Sequence, residues 1–186
     1  MSRRQQGFNV VEIMIAVLIL SVLLGIGAPY LRDFVWNARI TARTNDIMSD
    51  LGIARAEAVK NQRPAFLCPS ALDNDHCDGA NWKGRRIVIV DLNNNGTCDG
   101  PPTDLTIKYT DPPVTDTIGN ITLTGGDATY GVVFRPTGAV QAGLSPTFKV
   151  CDTRNGPNGV GSSPFLHRQI TVAPGGRANI TSINCQ

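Results

Sequence analysis

One carboxylate sits at the mouth of an apolar run, where its only useful chemistry is ion pairing. Glu12 follows Phe8-Asn9-Val10-Val11, and from Ile13 to Leu31 there is no charged residue. A carboxylate in lipid or in a packed helical core is costly unless a cation meets it. Five cysteines form a second set. Cys68 and Cys77 bracket a polar loop, Cys151 and Cys185 bracket the C-terminal region, and Cys98 is left over. Both pairs are candidate disulfides, which implies an oxidising compartment. Closing the longer loop would contribute about 3–4 kcal/mol in the chain-entropy model. Other pairings stay open, as does a structural zinc site, although no Cys-x-x-Cys pair is present.

A third set lies in Asp91-Leu92-Asn93-Asn94-Asn95-Gly96-Thr97-Cys98-Asp99. Asp91, Asn93, Asn95 and Asp99 place oxygens at alternate positions with a glycine at the sixth, as in the first half of a calcium-binding loop. Pro102 occupies the twelfth position, where a bidentate acid is expected, so an ion-free Asn-Gly turn competes with this reading. No cofactor is expected. The two histidines, His76 and His167, lack an acid–base constellation, and Ser70 lacks a positioned base. Phosphate-cradling and metalloprotease patterns are absent. Catalysis is not expected.

The elements that must hold these residues follow from hydropathy and punctuation. Residues 8–31 read as a spanning helix, with Ile13–Leu31 about 28 Å long and Arg3 and Arg4 holding its start in the cytoplasm. Residues 32–63 continue the helix, with Ile40, Ile47, Leu51, Ala54 and Ala58 as one apolar stripe. Arg39, Arg43, Asp46, Asp50, Arg55, Glu57 and Lys60 are assigned to its other faces. Gly25, Gly27 and Pro29 weaken the anchor, and Pro64 ends the helix.

Residues 64–186 read as a strand-rich head. The expected strands are 65–68, 86–91, 105–109, 118–123, 131–135, 139–141, 147–151, 169–172 and 178–181. One long helix followed by strands gives an α+β class, the helix packed on an antiparallel sheet. Two plainer readings of the N-terminus compete. Gly25-Ile26-Gly27-Ala28 imitates a signal-peptide cleavage site, and Glu12 could simply snorkel from a plain anchor. Charge excludes a uniformly basic nucleic-acid binder: 17 basic against 15 acidic side chains become 15 against 15 once Arg3 and Arg4 are removed.

Gly7-Phe8-Asn9-Val10-Val11-Glu12 before a long apolar helix resembles the signature of type IV pilins and type II secretion pseudopilins. The resemblance implies the pilin fold, with residues 1–7 as a leader removed after Gly7 by prepilin peptidase. It also implies N-methylation of Phe8 and pairing of Glu12 with the amino terminus of a neighbouring subunit. Asn9 departs from the usual Thr, and Val10-Val11 from a Leu-Ile type pair. Leu51 to Val59, Val133-Phe134-Arg135-Pro136-Thr137-Gly138, and Arg168 to Val172 with Gly175-Gly176-Arg177 are similar to the GspH/FimT (FimU-like) minor pilin branch.

That branch implies a non-catalytic subunit of a type IV pilus or type II secretion system, with an inner-membrane helix and a periplasmic head. Its partners would be other major and minor pilins or pseudopilins. Some of its members bind DNA through a Gly-Arg-x-Arg motif. Here the stretch reads Gly176-Arg177-Ala178-Asn179, so Arg154, Arg168 and Arg177 are the candidate DNA contacts in a C-terminal region without acids.

Overall fold

The computed structural model describes residues 9–71, 75–78, 81–112, 120–151 and 167–183, leaving aside the side chains of 27–30, 32 and 33. The chain divides into two compact units, Met1–Ala38 and Arg39–Gln186. One α-helix, α1, is continuous from Val10 to Asn61, so Gly25, Gly27 and Pro29 do not end it.

α1 starts at Asn9. The side chain of Asn9 accepts from the Val11 amide at 3.3 Å, and its carbonyl accepts from Glu12 at 3.0 Å, which makes it an N-cap. At the other end Gln62 takes a left-handed conformation (φ 53°), and the Arg63 amide donates back to the Ala58 carbonyl at 3.2 Å. That is the Schellman pattern of a finished helix. Among the described residues no helix is long and apolar enough to cross a membrane. The apolar stretch with described side chains, residues 10–26, rises about 25 Å, short of a bilayer's apolar core of about 30 Å. The expected span of 8–31 extends beyond it on both sides.

The head contains eight strands: β1 (Ala65–Ser70), β2 (Arg85–Val90), β3 (Leu105–Thr110), β4 (Ile121–Thr124), β5 (Val132–Phe134), β6 (Thr147–Val150), β7 (His167–Val172) and β8 (Ala178–Ile183). They form two antiparallel sheets of order β3-β2-β1-β5 and β4-β6-β7-β8, where a single sheet was expected. The expected strand 139–141 is reduced to one bridge, Phe134 with Val140, because the chain turns back immediately at Gly138.

The main core joins the helix stripe to both sheets. Ile40, Ile47, Leu51, Ala54 and Ala58 pack with Leu67, Val88, Phe134, Phe148 and Ile170. Trp82 meets Phe148 edge-on at 4.8 Å and links the two sheets. Burying these side chains contributes about 1.5–3 kcal/mol for each large one, before entropy is counted. Alternate residues of the first sheet point the other way. Phe66, Cys68, Ile87, Ile89 and Val133 form a second cluster with Cys77 and Cys98. The first sheet is therefore covered on both faces, which is why β1 and β2 read as nearly continuous apolar runs.

Candidate functional site

Within the first unit, the candidate functional side chain among the described residues is Glu12, at the start of α1. Glu12 occupies the first helical turn, three residues after the cap, where a negative charge is favoured by the helix dipole. It is exposed and has no side-chain partner among the described residues. Around it the large apolar side chains from Val10 to Ile26 are all exposed, between 52% and 70%. They occupy every face of the helix, a pattern that belongs to a helix surrounded by other apolar matter. Gly7 and Phe8 lie outside the described residues.

Cys68 and Cys77 form the expected disulfide, with Cα atoms 5.5 Å apart. Cys151 is also disulfide-bonded, and Cys185 lies outside the described residues. Cys98 is free and buried. Its sulfur accepts from the Cys77 amide at 3.1 Å, and burial pushes its thiol up to about 12. The sulfurs of Cys68, Cys77 and Cys98 lie within 4.8 Å of one another.

The loop from Asp91 to Asp99 folds on its own donors. Asp91, fully buried, accepts from the amides of Asn95 at 3.3 Å and Gly96 at 2.8 Å. Asn93 accepts from the Asn95 amide at 2.9 Å, and the Asn95 side-chain oxygen from the Thr97 amide at 2.9 Å. Asn95 also donates to Asp99 at 2.6 Å, and hydrogen bonds from Asn95 and Thr97 hold the Asp99 carboxyl below its usual range.

The candidate arginines are not gathered by any contact in the described structure. Arg168 donates to Ser182 at 2.7 Å on the second sheet, Arg177 is exposed in the β7–β8 turn, and Arg154 lies outside the described residues.

Two features escaped the sequence reading. Arg43 and Asp50, assigned there to the helix faces other than the apolar stripe, are buried at 3% and 0% exposure. Asp50 accepts from Arg86 at 3.0 Å, Lys108 at 2.8 Å and Thr110 at 2.8 Å, pinning α1 to β2 and β3. The signal was available in the register: Asp50 lies three residues after Ile47 and four before Ala54, on the buried stripe.

The second feature is a convergence of three motifs. Arg55 donates from Nε to the Gly138 carbonyl at 3.0 Å. Gly176 (φ +80°) lies so close to the same carbonyl that a β-carbon there would collide with it. The helix motif, the turn after β5 and the β7–β8 turn thus meet at one point.

Among solved structures, the chain is similar to the type IV minor pilin FimU of Pseudomonas aeruginosa PAO1 in space group P21. The match has a TM-score of 0.52 and 17% identity and covers 80% of this chain and 92% of that chain. The P65 crystal form of FimU gives a TM-score of 0.48 at 16% identity, over 76% of this chain and 91% of that chain. At such identities the likeness concerns the fold. No curated protein sequence matches the chain. The model of the family described as "Type II transport protein GspH" matches residues 43–176, which takes in all the strands of the head up to the β7–β8 turn. The chain belongs to the GspH family.

Proposed function

We propose that the chain is a minor pilin or pseudopilin, a structural and non-catalytic subunit of a type IV pilus or a type II secretion system. The observation that carries the reading is the pairing of a GspH-family head with a helix whose apolar residues 10–26 are exposed on every face. A soluble globular protein would bury such a helix, whereas a fibre subunit covers it with lipid before assembly and with sister helices afterwards. Prepilin peptidase removes residues 1–7, Phe8 is N-methylated, and residues 8–31 hold the subunit in the inner membrane with the head in the periplasm. Residues 32–63 then continue the helix into the head of 64–186.

Glu12 sets the register in this reading. Its exposed carboxylate awaits the amino terminus of a neighbouring pilin or pseudopilin, and pairing removes most of the cost of burying either charge. Glu12→Ala is expected to be processed normally and excluded from the fibre. Gly7→Ala is expected to persist as a membrane-held precursor of higher mass. Immunoblots of membrane and sheared-fibre fractions measure both, and normal incorporation of Glu12→Ala would sink the proposal. None of the similarities found points to DNA, and that alternative is not carried further.

A further inference from the structure

We propose that the β2–β3 connection, residues 91–104, is a calcium site whose closing ligand is Asp104. The sequence pattern stops short at Pro102, where the last acidic ligand of such a loop is expected. Asp104, two residues on, is 3% exposed, and its Oδ1 makes no hydrogen bond of full geometry, the Leu92 amide being the neighbouring donor. Its other oxygen accepts from the Asp99 amide at 2.8 Å, which fixes the carboxylate against the ninth position of the loop.

The sheet register brings the two ends together. Val90 pairs with Leu105, so Asp91 and Asp104 flank the neck of the connection from its two roots. Asp91 is itself fully buried. Neither it, Asp99 nor Asp104 is ion-paired to a basic side chain among the described residues. Two buried carboxylates beside a third acid, with an oxygen short of a full hydrogen bond and no basic partner, form an arrangement that a divalent cation stabilises.

The donors are hard oxygens, as calcium prefers: carboxylates from Asp91, Asp99 and Asp104, side-chain amide oxygens from Asn93 and Asn95, and the carbonyl of Thr97 at the seventh position. The three acids do not yet share one coordination shell. Among the described residues, the sulfurs of Cys68, Cys77 and Cys98 are the only three Cys, His or carboxylate ligand atoms within 4.8 Å of one another, and no three carboxylates come so close. Capture of the cation therefore draws Asp99 and Asp104 inward. Calcium accommodates this better than magnesium, which demands a tight octahedron and sheds water reluctantly.

The test uses the full-length protein in detergent, freed of metal with a chelator and titrated with calcium chloride by calorimetry and thermal unfolding. One calcium per chain is expected, with Kd of about 10⁻⁴–10⁻³ M, the range of extracellular modules. At tenfold excess over Kd, the unfolding midpoint should rise by about 3 °C. Asp104→Asn keeps the shape and an acceptor for the Asp99 amide, so without calcium its midpoint should not fall, while its calcium affinity should drop at least about tenfold. Absence of binding up to about 10 mM calcium would overturn the proposal, as would equal binding by Asp104→Asn or an equal response to magnesium.

Discussion

Asp50 and Cys98 show how burial changes what a single side chain does. Asp50 has no exposure and satisfies three donors, one of them the buried guanidinium of Arg86. Asp50→Ala would leave that cation without a counter-charge, at a cost of about 3–5 kcal/mol. Chemical denaturation should show the loss as a lower midpoint with an unchanged slope. Cys98 behaves in the opposite way, because its burial favours the neutral form. With its thiol pushed up to about 12, the folded state holds its proton where the unfolded chain would release it. The stability this contributes is complete below the ordinary thiol range near 9 and is lost as pH rises towards 12. Native protein at pH 8 should therefore resist iodoacetamide at Cys98 and react once unfolded, which mass spectrometry of the alkylated chain can follow.

Among the elements, the last hairpin depends on two glycines more than on its strands. β8 is mostly exposed, and what fixes the β7–β8 turn is the approach of Gly176 to the Gly138 carbonyl beside Arg55. Gly176→Ala combines a left-handed backbone with a collision against main chain, so a loss of at least about 2 kcal/mol is expected in thermal or chemical unfolding. The strands around this point were legible because β-branched runs stood between Gly and Pro. Eight of the nine expected strands are present within a few residues of their predicted ends. The division into two sheets was not legible, since strand order is set by which edges meet in space. Nor was the burial of Asp50, because a charge on a helix reads as solvent-facing until its partner on another strand is known. The calcium pattern was visible up to Asp99, but Asp104 acquires its place only through the pairing of Val90 with Leu105.

For the whole molecule, the group proposed to guide assembly and the groups that hold the fold are separate. Glu12 is exposed and belongs to the first compact unit, while the core residues lie in the second. Glu12→Ala should then leave the cooperative unfolding of the head within about 0.5 kcal/mol of the parent, as exposed substitutions usually do. A circular-dichroism melt of the detergent-solubilised variant, set beside the fibre assay, separates a failure of assembly from a failure of folding. The doubly covered first sheet also bears on how the subunit can be labelled. Cys98, in the β2–β3 connection, packs with Phe66, Ile87 and Ile89, so an epitope spliced into that connection near Asn94 threatens to pull this cover away and leave a sticky wound. The mostly exposed edge strand β8 takes no part in that cluster, so a label attached to one of its exposed side chains leaves the cluster intact and suits observation of the protein in cells.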